Sequence, residues 1–139
     1  MKILATGVFD ILHTGHLDYL EYAKSLGDFL IVHVESDEAV RRHKGKGRPV
    51  NSENDRLRLI NNLKIVDQVF VDDGEKNYQS ILKKYRPNVF VIAPKKSFNK
   101  SEKEIEYKKV LPNLKVVWFA KKPRDNSTTK ILDQITKEL

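Results

Sequence analysis

The sequence predicts a doubly wound α/β fold: a five-stranded, mostly parallel sheet with helices on both faces. Three observations carry that expectation. Short apolar runs alternate with helix-period segments along the whole chain. One run, Phe29–Glu35, has almost no polar interruption, as a central parallel strand covered on both sides requires. The 139 residues, 40% hydrophobic and 32% charged, suffice for one core, and no linker, repeat or low-complexity segment divides residues 1–139.

The elements follow in order. Ile3–Thr6 reads as a strand. Tyr19, Tyr22, Ala23 and Leu26 recur at helical spacing, with Thr14 as the expected N-cap and Gly27 at the C′ position. Phe29–Glu35 is the second strand. Ser36 or Asp37 caps a short helix through Arg42, and Gly45, Gly47 and Pro49 make a loop. Ser52 caps a helix to about Leu63, and Val66–Val71 is the third strand. Asn77–Tyr85 is helical and stopped by Arg86-Pro87. Val89–Ile92 is the fourth strand, Lys103–Val110 a helix, and Lys115–Phe119 the fifth strand. Ser127–Leu139 closes the chain as a helix with Ile131, Leu132 and Ile135 on its buried side. In such a sheet the loops at the carboxyl ends of the strands form the site: Gly7–His16, Ser36–Asn51, Ala93–Asn99 and Lys121–Thr129.

The first of these loops holds the strongest chemical signal. His13-Thr14-Gly15-His16 puts two imidazoles and free backbone N–H groups at the start of a helix, directly after the first strand. That is a place built to hold phosphate. A histidine at the positive end of a helix dipole costs roughly 0.3–1 kcal/mol, and phosphate charge offsets it. Transfer of a nucleotide from a triphosphate is the chemistry this arrangement suits. A second signal is Arg124-Asp125-Asn126-Ser127-Thr128-Thr129-Lys130, with three hydroxyls and a cation at the start of the last helix. Plain N-capping accounts for one hydroxyl but not for the lysine; a phosphate there accounts for all four. The third is Lys44-Gly45-Lys46-Gly47-Arg48-Pro49, a basic loop that gains meaning as a flap over a triphosphate only beside the other two. Arg56, one turn into the next helix, reaches back toward the same place, whereas Arg58 faces solvent.

Composition narrows the field. There are no cysteines, which excludes disulfides, thiolate metal sites and cysteine nucleophiles. No apolar stretch approaches the ~18 residues of a membrane span, and Met1-Lys2 leads directly into a strand without a signal peptide, so a cytoplasmic protein is expected. The net charge of +7 favours anionic partners. No nucleic-acid motif accompanies it, so nucleotides are expected rather than nucleic acid.

These residues resemble the HxGH nucleotidyltransferase superfamily, the cytidylyltransferase-like group, whose fold is Rossmann-like. His13-Thr14-Gly15-His16 is similar to its signature. Ser127-Thr128-Thr129-Lys130-Ile131 resembles the second signature of glycerol-3-phosphate cytidylyltransferases. Gly7–His16, Leu26-Gly27-Asp28, Ser36-Asp37 and Lys44–Asn51 look most like the adenylyltransferase domain of ADP-heptose synthase, of lipopolysaccharide core biosynthesis; the same half also fits an archaeal FAD synthase. The resemblance implies attack of an acceptor phosphate on the α-phosphorus of ATP, with CTP the alternative, and loss of pyrophosphate. It implies that His13 and His16 hold the α and β phosphates, that Lys46 or Lys44 neutralises them from the flap, and that Arg56 binds the acceptor phosphate or the β/γ phosphates. It places Ser127, Thr128 and Thr129 on the triphosphate tail, Thr6, Gly7, Phe9 and Gly15 along the nucleotide, and Asp10, Asp37 and Lys44 toward the acceptor or ribose. Mg²⁺ bound mainly by phosphates, with no metal site of protein ligands, and a homodimer are implied as well. A phosphorylated sugar is the expected acceptor, with FMN and glycerol 3-phosphate as alternatives, and a nucleotide-binding regulator is the non-enzymatic alternative. Many relatives carry a glycine and an acid after the fourth strand; this chain has Ala93-Pro94-Lys95-Lys96 there.

Overall fold

A computed structural model describes residues 1–72, 78–94, 98–120 and 128–138. Its elements are β1 (Lys2–Gly7), α1 (Thr14–Ser25), β2 (Phe29–Glu35), α2 (Asp37–Lys44), α3 (Glu53–Asn61), β3 (Gln68–Asp72), α4 (Gln79–Tyr85), β4 (Val89–Ile92), α5 (Lys100–Val110), β5 (Lys115–Trp118) and α6 (Thr128–Glu138). The five strands form one sheet in the order β3-β2-β1-β4-β5, and every neighbouring pair is parallel. The sheet is therefore wholly parallel, and β2 and β4 have the expected bounds.

Alternation along the strands splits the core into two layers. Ile3, Ala5, Val32, Val34 and Val91 pack with Tyr19, Leu20 and Ala23 of α1 and Ile60 of α3 on one face. Leu4, Ile31, Phe90 and Ile92 pack with Ile81 and Leu82 of α4 and Tyr107 of α5 on the other. The order reverses between β1 and β4, where an open α/β sheet leaves a crevice. Their ladder ends at Ala5–Val91. Beyond it, Tyr19 Oη accepts from Thr6 N–H at 3.0 Å and donates to the Val91 carbonyl at 2.6 Å. Burial pushes this hydroxyl's pKa far up, so it stays a neutral bridge across the diverging strands.

Local chemistry corrects several sequence-based expectations. The N-cap of α1 is His13, not Thr14. Ser36, not Asp37, caps α2, its Oγ accepting from Ala39 N–H at 3.1 Å, and α2 runs on to Lys44. Gly27 does follow the C-cap Leu26 at C′, as expected, but not in a left-handed conformation. A Cβ there would lie 2.6 Å from the Met1 carbonyl oxygen and 2.7 Å from Ile3 Cδ1, so close approach demands the glycine. Arg86 supplies the left-handed cap of α4 instead, at φ 46°. Ile135 does not face the core of this chain; it is 49% exposed.

Candidate functional site

The carboxyl end of β1 builds the site. Gly7 is needed because the Phe9 ring lies over it: a Cβ would meet Phe9 Cζ at 2.8 Å. Phe9 itself has φ 53°, a left-handed conformation that costs a non-glycine residue on the order of 1 kcal/mol. That turn sets the ring edge-on to His16, with centroids 5.4 Å apart, and stacked with Tyr19 at 6.4 Å.

The two site histidines make a reciprocal cap. His13 Nδ1 accepts from Gly15 N–H at 3.1 Å, and His16 Nδ1 accepts from His13 N–H at 3.2 Å. The rings stack with centroids 3.9 Å apart. Because each Nδ1 is an acceptor, each neutral ring carries its proton on Nε2, the nitrogen remote from the backbone. The helix thus presents imidazole N–H donors where its dipole is positive, the arrangement an anion needs.

His16 and Gly15 line a cavity of about 240 Å³ together with Thr6, Gly7, Phe9 and Asp10. Thr128, at the other end of the chain, lines it too. Its hydroxyl donates to the Ile11 carbonyl at 3.3 Å, tying the start of α6 to the β1–α1 loop across 117 residues of sequence. Thr129 is exposed and does not line the cavity, and Ser127 and Lys95-Lys96 lie outside the described residues. Of the two flap lysines, Lys44 at the end of α2 lines the cavity, whereas exposed Lys46 does not.

Arg56 departs most from its expected place beside phosphate. It is fully buried. Nε donates to the Asn51 carbonyl at 3.0 Å, Nη1 to the carbonyls of Val8 and Glu35 at 2.9 and 2.6 Å, and Nη2 to Asp37 Oδ1 at 2.8 Å. The fork is spent on the framework: it clamps the loops after β1 and β2 to α3. Asp37 is drawn into the same clamp. Asp10, also buried, accepts from Val50 N–H at 2.9 Å through Oδ2 and from Asn51 N–H at 2.8 Å through Oδ1. Its carboxylate fixes the end of the basic loop, although its residue borders the cavity.

Sequence reasoning gave no individual role to Arg48, Tyr78, Tyr107, Glu35 or Phe98, although Arg48 and Phe98 lie in loops it named. Arg48 packs beside Asp10, Nε to Oδ2 at 3.5 Å, its side chain 18% exposed and its Nε and Nη2 without a hydrogen-bond partner among the described residues. Tyr78, Tyr107 and Glu35 complete the far side of the cavity with Phe98. Tyr78 Oη lies 2.9 Å from Thr6 Oγ1, which lies 2.8 Å from Nδ1 of buried His33; His33 Nε2 lies 2.8 Å from the Asp72 carbonyl. A carbonyl only accepts, so Nε2 carries the proton and the chain runs Tyr78 to Thr6 to His33. Thr6's hydroxyl is thereby engaged within the protein. Burial pushes the Tyr78 hydroxyl's pKa well up, with the Glu35 carboxylate adding to the shift, and burial pushes Tyr107 up to about 12. No motif marks these tyrosines in the sequence; Glu35 was visible only as the acidic last residue of an apolar strand.

Among the described residues no group of three or more His, Cys, Asp or Glu side chains is placed to hold a metal ion, and no helix is long and apolar enough to cross a membrane.

Comparison with known proteins places the chain in a family. The cytidylyltransferase-like family matches residues 4–134. An FAD synthase of Thermococcus sibiricus is 38% identical over 139 residues, which is 97% of this chain and 92% of the relative. The bifunctional protein HldE of Wolinella succinogenes is 37% identical over 133 residues; the match takes in 96% of this chain but 26% of that protein. The crystal structure of the lipopolysaccharide core biosynthesis protein from Thermoplasma volcanium superposes with a TM-score of 0.78 at 35% identity, covering 88% of this chain and 98% of that one.

Proposed function

We propose that this chain, which belongs to the cytidylyltransferase-like family of nucleotidyltransferases, moves an adenylyl group from ATP to a phosphorylated small molecule and releases pyrophosphate. The observation that carries the reading is the reciprocal imidazole cap of α1, with one ring facing the cavity. An acceptor phosphate oxygen attacks the α-phosphorus in line with the departing pyrophosphate, and no covalent enzyme intermediate forms. The barrier falls through positioning and through donors aimed at the charge that gathers on the phosphate oxygens. His16 Nε2–H donates to the α-phosphate and His13 supports it from the stack. Lys44 draws the acceptor phosphate toward the β2 side. Lys46 and the hydroxyls of Ser127, Thr128 and Thr129 hold the departing pyrophosphate. Mg²⁺ would be held mainly by the triphosphate's own oxygens and water rather than by protein side chains, and would supply charge neutralisation on the phosphates. Arg56 acts by holding these loops in register rather than by touching substrate.

Adenylyl rather than cytidylyl transfer rests on the relatives, since FAD synthases make an adenylyl product. A sugar phosphate is the first acceptor, supported by the HldE likeness and by the solved neighbour of lipopolysaccharide core biosynthesis. FMN is the second, favoured by the near-complete length match to FAD synthases. The test is pyrophosphate release from ATP and CTP in Mg²⁺ against heptose 1-phosphate, other sugar 1-phosphates, glycerol 3-phosphate and FMN. Release with ATP and one of the first two classes or FMN is expected. Release with CTP alone overturns the choice of nucleotide, and triphosphate binding without release from any pair overturns the reading in favour of a regulator.

A further inference from the structure

The cavity has two unlike parts. One holds His16, Gly15 and Thr128, which suit phosphate. The rest of the lining includes Glu35 at the end of β2, Tyr78 beside Thr6 of β1, and Tyr107 and Phe98, which pack against Phe90 of β4 and Trp118 of β5. A carboxylate is out of place in a pocket for anions unless something neutral meets it.

Glu35 is a carboxylate without an outlet. Strand alternation sets it on the same face as Ile31 and His33, toward α4. It is half-buried, and its side chain makes no hydrogen bond or ion pair among the described residues. Its cross-strand neighbour in register is Asp72, another acid, so the sheet offers it no counter-charge. Its backbone is fixed regardless, because its carbonyl accepts from Arg56 Nη1 at 2.6 Å. The clamp thus holds an acceptor-only group, already partly stripped of water, at the wall of the cavity.

Resting on the adenylyltransferase reading, we propose that Glu35 is a specificity-determining residue that accepts hydrogen bonds from adjacent hydroxyl groups of the acceptor. Three arguments select hydroxyls. The acceptor's phosphate is repelled by a carboxylate, so the neutral part of the molecule must face Glu35. Lys44 lines the same β2 side and attracts that phosphate, which leaves the carbon chain next to it within reach. A carboxylate offers two oxygens, which match a pair of neighbouring hydroxyls, while the rings of Tyr78, Tyr107 and Phe98 cover the apolar edges of the same chain. A site built this way disfavours an analogue lacking the hydroxyls, because the half-buried carboxylate is then left without those donors. Adjacent hydroxyls occur both on a sugar ring and on the ribityl chain of FMN; the chemistry is shared, and the acceptor panel tells the sources apart.

Equilibrium binding to the full chain tests this separately from turnover. The probes are a sugar 1-phosphate and its dideoxy analogue, FMN and a flavin phosphate with an unhydroxylated side chain, and ATP. The unsubstituted protein should prefer one hydroxylated probe over its deoxy partner by about tenfold or more, the scale of hydrogen bonds to a charged group. Glu35→Gln should lose most of that preference, and Glu35→Ala all of it, with ATP affinity unmoved. Unchanged discrimination in both variants overturns the proposal. So does weakened ATP binding at equal acceptor binding, which would give Glu35 to the nucleotide, and so does failure of the unsubstituted chain to bind any acceptor. Thermal melts of both variants exclude misfolding, and Glu35→Gln keeps the shape of the side chain. If the unsubstituted protein binds a hydroxylated probe selectively yet releases no pyrophosphate, the catalytic reading fails while the assignment of Glu35 stands.

Discussion

Two junctions at the carboxyl edge of the sheet use charged and polar side chains in opposite ways. At the β1–α1 junction, His13 and His16 satisfy the helix end through Nδ1 and so keep their Nε2 donors directed away from the backbone. At the junction of α2 with α3, Arg56 and Asp37 bond one another and Arg56 bonds backbone carbonyls, while Asp10, reaching over from the β1–α1 loop, is taken up by the amides of Val50 and Asn51. The first junction is a tool held by its handle; the second is the clamp that holds the bench. Residue type does not distinguish the two, because an arginine near a phosphate site suits either role. What distinguishes them is whether the fold exhausts the side chain's hydrogen-bonding capacity before a ligand arrives.

The sharpest way to break that contrast is to remove the clamp. Arg56→Met strands the carbonyls of Val8, Glu35 and Asn51 and leaves Asp37 without its partner. Breaking a buried pair in this way costs about 3–5 kcal/mol. Urea unfolding should report a loss of that size, and Arg56→Lys should not restore it, since an ammonium cannot reproduce the fork. A variant as stable as the parent, with only its turnover lost, would return Arg56 to the ligand-touching group.

Removing the tool should do the reverse. His16→Ala is expected to lower turnover by at least ~10²-fold, the scale for losing one donor to the transition state. Its stability loss should stay near the ~1 kcal/mol typical of a cap. His13→Asn separates the two roles further. Asparagine is among the best N-cap residues, so the helix start survives, while the stacked ring and its Nε2–H are gone. Turnover should fall with stability nearly intact. Near-normal turnover in His16→Ala would sink the phosphate-site assignment.

The same contrast explains what could be read in advance. Strand–helix alternation made the parallel sheet legible, because a strand buried on both faces is almost wholly apolar, as Phe29–Val34 is apart from His33. The histidine motif was legible because spacing alone brings both rings to one helix end. Its capping geometry was not, since imidazole is an uncommon cap and Thr14 is a favoured type. Arg56 was misplaced because sequence distance to a site says nothing of how many carbonyls surround a side chain. Tyr78 and Glu35 went unnoticed because they reach the cavity from separate segments: a side-chain hydrogen bond sets Tyr78 beside Thr6, and Glu35 lies two residues past His33, the register partner of Thr6.

The smallest effect concerns the far end of α1. Lys24 in its last turn bonds the Asp67 carboxylate, which also accepts from Leu30 N–H at 2.7 Å. The lysine contact first, and the backbone bond second, hold the Asp67 carboxyl below the usual carboxylate range. A depressed folded pKa adds stability that is fully present above the unfolded value of about 3.9 and is lost as pH falls through the folded value. Asp67→Asn should therefore lower the melting temperature slightly at neutral pH and leave it level with the parent in acid. The pair is partly exposed, so the difference is small and shrinks with added salt. Turnover should not follow it, because the cap that orients the imidazoles is made within residues 13–16. If Asp67→Asn reduced turnover as much as His16→Ala, the histidines would depend on the whole helix being anchored, and the division between tool and clamp would have to extend to the far end of α1.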